Sequence, residues 1–350
     1  MINTQFIDVD TLINSGLANY LIIDVRSPAE YATDHIPTAV NLPLLDNEER
    51  KIVGIIYKEN GPKSARLKGV ELISPKLPDL INNINTLKDG RLIIFYCWRG
   101  GLRSEAMSSF AKLAGIYTKR VEGGYKSFRK MIVSFFDQFN EKRKYEDMNK
   151  CTTIYGPTGC GKTKILEILS KNVPVVNLEK NAAHKGSSFG MIDEPGFERV
   201  TQKNFESAVW YDFYNNKFNN RFLIEGESRK IGKVVVPAQL FNYMKKSINV
   251  LVDMPLDTRI DFTIKNYKPD FFVEEIRGAL YNLKRLLGTS KVKDLSDLLD
   301  KKDFRTFTKT LLLEYYDPLY KNSMPDNIDH YIKYSDIREG SKKLYDLYEA

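Results

Sequence analysis

Thr152-Thr153-Ile154-Tyr155-Gly156-Pro157-Thr158-Gly159-Cys160-Gly161-Lys162-Thr163, followed by Lys164-Ile165-Leu166-Glu167-Ile168-Leu169, is the stretch that decides the fold. Residues 152–155 read as a buried strand, the turn satisfies the spacing GxxxxGK[ST], and 164–169 has the apolar periodicity of a helix. Gly156, Gly159 and Gly161 let successive amide N–H groups face inward around a diphosphate, Lys162 bridges its oxygens, and the Thr163 hydroxyl can reach a Mg²⁺ ion. Such a loop recognises phosphates and says nothing of the group attached to them. Apolar runs at 173–178, 222–225 and 248–253 join 152–155 as four strands of a parallel α/β sheet. Past Pro255 the pattern turns helical, dense in Lys and Arg, with leucines at 283, 286, 287, 295, 298 and 299.

The strand 222–225 ends in Glu225-Gly226-Glu227-Ser228-Arg229. Glu225 and Glu227 are candidates for water-mediated metal binding or general base work, or else form a solvated strand end; Asp253, closing its own strand, is a further candidate. Cys160 sits where any small residue would serve, and reads as structural.

The first half has the same α/β character, with buried strands expected at 21–25 and 91–96 and a helix at 104–114. Cys97 ends a strand and is followed by Trp98-Arg99-Gly100-Gly101-Leu102-Arg103-Ser104, after which a helix begins. The glycines allow the backbone to curl into an anion-binding nest, and the helix dipole adds partial positive charge. Arg99 and Arg103 should favour the thiolate and could hold an anionic donor. From Phe128 to Phe139 aromatic and aliphatic residues share one helical face, and 141–150 is almost wholly polar. The expected organisation is therefore a domain over 1–137, a linker over 138–150, and a phosphate-loop domain with a helical extension over 151–350.

The composition fits this reading and excludes others. At about 150 residues per domain, 350 residues make two domains, and 42% hydrophobic with 28% charged is a globular balance. The apolar runs fall far short of the roughly 18 residues needed to span a bilayer, and the N-terminus lacks the basic and apolar regions of a secretory signal, so a cytoplasmic protein without a membrane span is expected. The three cysteines, 97, 151 and 160, form no CxxC pair, which argues against a disulfide framework or a cysteine-rich zinc site; no metal ligand set is certain. A net charge of +8 permits a polyanionic partner such as RNA without requiring one.

Leu21-Ile22-Ile23-Asp24-Val25-Arg26-Ser27-Pro28-Ala29-Glu30-Tyr31, with His35-Ile36-Pro37 and Ala39-Val40-Asn41-Leu42-Pro43, resembles the opening of a rhodanese domain. Cys97 then stands where a rhodanese places its reactive cysteine, and Val121-Glu122-Gly123-Gly124-Tyr125 resembles the Gly-Gly turn after it. In that likeness Asp24 and Arg26 tie the sheet edge to neighbouring loops, and His35 is a turn residue. A rhodanese-like parallel-sheet domain followed by a P-loop NTPase-like parallel-sheet domain is a rare order. Together with Ala183-His184-Lys185-Gly186-Ser187-Ser188-Phe189-Gly190, Glu227-Ser228-Arg229-Lys230-Ile231-Gly232 and Tyr315-Tyr316-Asp317-Pro318-Leu319-Tyr320, it resembles the tRNA 2-selenouridine synthase family. Lys185 departs from the Arg expected there, keeping the cation but losing the planar fork, and 193–202 matches poorly.

The resemblance implies a transferase acting on tRNA with 2-thiouridine at the wobble position. Geranyl diphosphate first alkylates the sulfur; selenophosphate, supplied by its synthetase, then replaces the S-geranyl group with selenium. It implies Cys97 as the carrier of an S-selanylcysteine intermediate, aided by Arg99 and Arg103, and His184, Lys185, Ser187 and Arg229 as substrate-binding candidates. The alternatives are a rhodanese-type sulfurtransferase fused to an ATPase or kinase, and a non-catalytic tRNA-binding module; intact Cys97, Lys162 and Thr163 argue against the latter.

Overall fold

The computed structural model describes residues 5–139, 151–218 and 221–349, except the side chains of 322 and 323. The chain divides into two compact units, Met1–Phe135 and Phe136–Ala350. The expected linker over 138–150 lies, from residue 140 on, outside the described residues.

In the first unit β1 (Phe6–Ile7), β2 (Tyr20–Asp24), β3 (Val40–Asn41), β4 (Leu92–Tyr96) and β5 (Thr118–Val121) form a parallel sheet in the order β1-β5-β4-β2-β3. Strands β2 and β4 are buried apolar runs, which is what a sheet covered on both faces requires. The second unit pairs β6 (Cys151–Tyr155), β7 (Val175–Val176), β8 (Phe222–Glu225), β11 (Ile248–Asp253) and β12 (His330–Lys333) in the order β12-β11-β6-β8-β7, again all parallel; β9 (Lys230–Ile231) and β10 (Val234–Val235) make a separate antiparallel pair. In each sheet the central strand, β4 or β6, runs directly into the loop singled out by its chemistry. The helical region past Pro255 packs around its own apolar cluster, including Ile276, Leu280, Leu295, Phe307 and Leu311. Among the described residues no helix is long and apolar enough to cross a membrane.

One expectation needs adjustment. The strand expected at 173–178 is cut to Val175–Val176, because the Asn177 side chain accepts the Lys180 N–H at 2.9 Å and caps a short helix, Leu178–Asn181. The first unit also holds a long helical segment that the sequence reading does not single out, Asn47–Ile73, broken at Gly61, whose apolar residues are spread around the helix and not gathered on one face.

Asp24 and Arg26 act as the structural tie that was expected. Both are buried, the Arg26 Nη2 donates to Asp24 Oδ2 at 2.6 Å and to Asp34 O at 2.7 Å, and the guanidinium lies 4.1 Å from the Tyr125 ring centroid. Removing one partner of such a pair strands a buried charge. Asp24→Ala should therefore destabilise this unit by about 3–5 kcal/mol, read as a lower urea midpoint at unchanged slope.

Candidate functional site

Strand β6 enters the phosphate loop at Gly156, and helix Lys162–Leu169 leaves it with Gly161 as N-cap. Lys162 Nζ donates to Gly156 O at 2.7 Å, and the Gly156 N–H donates to the Tyr320 hydroxyl. Arg259, on the helix Leu256–Tyr267, donates to Thr158 O from Nε at 3.0 Å and from Nη2 at 2.8 Å, while Asp317 accepts from the same guanidinium at 3.0 and 2.5 Å. Residues 315–320, which sequence marks only by resemblance, thus supply two braces of the loop. Arg259 gave no signal in the sequence beyond its place after a strand.

Acidic groups gather beside Lys162. Glu227 Oε1 lies 3.5 Å from its ammonium, Thr163 Oγ1 donates to Glu179 Oε2 at 2.5 Å, and the Glu179 N–H donates to Glu225 Oε2 at 2.9 Å. Glu225 Oε1 is buried with no hydrogen-bond partner among the described residues. Burial, and after it the neighbouring Glu227 and Glu225, hold the Glu179 carboxyl well above its usual range; burial and then Glu227 raise Glu225 as well. Burial works against the Lys162 charge, yet Cys160, Glu227, Tyr320 and Glu179 outweigh it and its pKa stands well above the usual lysine value. Sequence reasoning missed Glu179, since it lies just past a strand that was expected to run longer. Gly186, with φ at 64°, sits where a side chain would strike both Glu179 and Glu227. Among the described residues no group of three or more His, Cys, Asp or Glu is arranged to hold a metal ion.

The other substrate-binding candidates are engaged around this cluster. His184 is buried with its ring 5.5 Å from that of Phe197, and burial, then Lys185, lower its pKa. Lys185 Nζ donates to Ile192 O at 2.6 Å and lies 3.4 Å from Glu194. Ser187 Oγ is 2.7 Å from the Tyr267 hydroxyl, and Arg229 is exposed.

A narrow cleft, partly open to solvent, adjoins the loop at Thr158. Its walls are apolar, with Phe189, Ile264, Ile276, Phe307 and Leu311 among them. Leu312 and Tyr316 reach it from a single π-helical turn, Leu312–Tyr316, a geometry frequent at functional sites. The hydroxyls of Thr263 and Tyr316 line it, are buried, and make no hydrogen bond among the described residues.

In the first unit Cys97 follows β4 and lies under the start of helix Leu102–Leu113. Its Sγ–H donates to Gly101 O at 3.7 Å and lies 3.4 Å from Ser104 Oγ. The Gly123-Gly124 turn closes on the loop backbone: the Tyr125 N–H donates to Cys97 O at 2.9 Å and the Lys126 N–H to Trp98 O at 3.0 Å. A Cβ at Gly124 would collide with Cys97 O and the Gly100 nitrogen. Arg99 is exposed. Arg103 is not a free cation beside the sulfur, because Glu30 accepts from its Nη1 at 2.6 Å and Nη2 at 3.2 Å.

Fold and loops together define a class: a rhodanese-like unit presenting one loop cysteine, in the same chain as a P-loop unit. A rhodanese-like domain model matches residues 8–131, and a tRNA 2-selenouridine synthase AAA domain model matches residues 149–344. The chain is 30% identical to the tRNA 2-selenouridine synthase of Nitrosomonas europaea, over 91% of this chain and 92% of that one. Against those of Nitrosomonas eutropha and Hydrogenovibrio crunogenus it is 33% and 31% identical, covering 84% and 88% of this chain and 74% and 90% of theirs. The chain belongs to the tRNA 2-selenouridine synthase family.

Two measurements test the site chemistry. Burial pushes the Cys151 thiol up to about 12 and raises that of Cys160, so iodoacetamide at neutral pH should modify Cys97 first; equal labelling by mass spectrometry would count against a reactive loop. Asp212 accepts from the Asn177 N–H at 3.1 Å and Asn181 Nδ2 at 2.7 Å, anchoring the short helix that carries Glu179. Burial pushes its carboxyl up to about 6 from 3.8, so the folded state keeps a proton that the unfolded chain has released. Its stabilising contribution is full below the unfolded value and is lost as pH rises through the folded one. Asp212→Asn should therefore gain stability relative to the wild type as pH is raised from 4 to 7, read from thermal midpoints across that range.

Proposed function

We propose that this enzyme converts wobble 2-thiouridine in tRNA to 2-selenouridine by way of an S-geranyl intermediate, with geranyl diphosphate consumed in the P-loop unit and selenophosphate at Cys97. The observation that carries the first step is the cleft. A phosphate loop that opens onto apolar walls suits a diphosphate bearing a hydrocarbon tail.

In that step the 2-thiouridine sulfur attacks C1 of the geranyl group, the C1–O bond breaks, diphosphate leaves, and N3 gives up its proton. Lys162 and the loop amides stabilise the charge that develops on the leaving oxygens. Glu227, the carboxylate beside Lys162 that is not buried beneath the others, is our candidate to accept the proton, directly or through water. A Mg²⁺ ion fits the donor set. The Thr163 hydroxyl and the unpartnered Glu225 oxygen are hard ligands that would hold it against substrate phosphate, which matches its habit of taking one or two carboxylates rather than an all-protein cage. It would supply additional neutralisation of the diphosphate.

Alkylation turns a poor thiocarbonyl leaving group into one that departs as a neutral thiol. Selenophosphate then delivers selenium to C2 as geranyl thiol leaves, with water taking the phosphoryl group as phosphate. We assign Cys97 to this step as the soft group against which the selenophosphate selenium is held for its attack on C2, with no S–Se bond formed, and Arg99, exposed beside it, to the anionic donor. Arg103, held by Glu30, orders the loop. The surplus of basic residues over acidic ones suits the tRNA polyanion.

Lys162→Ala should abolish most geranylation, a loss of about 2.7–4 kcal/mol of transition-state stabilisation by analogy with removing one preorganised donor. Given tRNA already carrying S-geranyl-2-thiouridine, it should still make 2-selenouridine. Cys97→Ser should accumulate the geranylated nucleoside and stop. Nucleoside mass spectrometry reads both. Normal geranylation by Lys162→Ala, full selenation by Cys97→Ser, or ATP turnover in place of prenyl transfer would sink the assignment.

A further inference from the structure

The cysteine loop carries an aromatic ring that the chemistry at sulfur does not use. The chain has two tryptophans. Trp210 is sealed in the core at 1% exposure, whereas Trp98, the residue after Cys97, is half-buried. A large ring left partly in water is here fixed by its surroundings. The Lys126 N–H donates to the Trp98 carbonyl at 3.0 Å and holds the backbone. The indole leans on Tyr125, with ring centroids 5.2 Å apart and planes tilted by 36°. Tyr125 is itself anchored, because it is buried, the Arg26 guanidinium lies 4.1 Å from its ring centroid, and its hydroxyl donates to Asp34 Oδ2 at 2.7 Å.

Replacing a group at C2 of a uracil requires that the base be drawn out of its strand and held still. Proteins hold the splayed bases of single-stranded loops by stacking them on aromatic faces, and every base has a face to offer. Consecutive Cα atoms are about 3.8 Å apart, so a base stacked on Trp98 is held by the immediate neighbour of the reactive cysteine. Arg99 follows Trp98 in the chain and Lys126 is bonded to its carbonyl; both side chains are exposed. They suit the phosphates on either side of that nucleotide, contacts that set position and not sequence.

We propose that Trp98 is the stacking platform for the S-alkylated uracil, holding the ring while selenium arrives at C2. This inference rests on the assignment of the selenation step to Cys97. Trp98 binds the base and makes or breaks no bond.

The test uses the full-length enzyme and anticodon stem–loop RNAs carrying S-geranyl-2-thiouridine, S-methyl-2-thiouridine or an abasic site at the wobble position. Both modified bases should quench tryptophan emission saturably, and the abasic RNA should not. In Trp98→Phe, where Trp210 alone emits, the quenching should vanish. Quenching by the geranyl RNA alone assigns the contact to the alkyl chain, and equal quenching by the abasic RNA reduces it to RNA binding; either result overturns the proposal. Selenation of the S-geranyl RNA by selenophosphate is the second arm. Trp98→Leu, which keeps apolar bulk and loses the π face, should lower kcat/KM by roughly 5- to 150-fold, the worth of one stacked base. Trp98→Phe should retain most of the wild-type value. A wild-type value in Trp98→Leu, or equal losses in the two variants, overturns the proposal, and if a variant fails to fold the quenching of the wild type decides. A wild type that makes no 2-selenouridine from this RNA overturns the Cys97 assignment itself, a result separable from an enzyme that selenates without stacking the base on Trp98.

Discussion

A phosphate loop is a curl of backbone whose amide groups are turned inward for a ligand, and an empty curl of that kind has little reason of its own to stay open. In this chain the loop is held by groups from outside it. Arg259 takes the Thr158 carbonyl and Tyr320 receives the Gly156 N–H, while within the loop Lys162 folds back onto the Gly156 carbonyl. Asp317 in turn holds Arg259, so the helical region past Pro255 is coupled to the loop through a buried guanidinium. The same region builds the apolar cleft. One set of interactions therefore shapes both the loop and the apolar cleft beside it.

The carboxylates beside Lys162 follow from the same geometry. Parallel strands deliver their carboxyl ends to one edge of the sheet, and β7 and β8 deliver Glu179 and Glu225 to the edge where β6 delivers the loop. Acids packed this closely favour protonated forms. One lysine and one threonine partly offset that tendency, and a bound cation would offset it further.

The cysteine loop is preorganised by different means. The Gly123-Gly124 turn presses backbone against backbone, and the Asp24–Arg26 pair with Tyr125 fixes the turn from below. Arg103, which sequence reasoning places beside the sulfur as a free positive charge, is neutralised by Glu30. The local field at Cys97 thus owes less to arginine than the spacing alone suggested.

Both reactive loops, the central strands that feed them and the α/β class are legible in the sequence, because each is a contiguous strand, turn and helix whose chemistry sits within about a dozen residues. The two-residue strands β1 and β3 carry too little periodicity to be seen, and β12 is an edge strand with mostly exposed side chains. Glu179, Arg259 and the cleft are invisible for a different reason. Arg259 lies 101 positions from Thr158, and Tyr320 lies 164 from Gly156; nothing local marks them. Sequence alone marks the loop that carries the phosphate-loop spacing and the cysteine that closes a strand ahead of a Gly-Gly turn. Only the tertiary structure decides which distant side chains brace that cradle and what lies beside it, because those contacts exist only once the parallel sheet has gathered its strand ends at one edge.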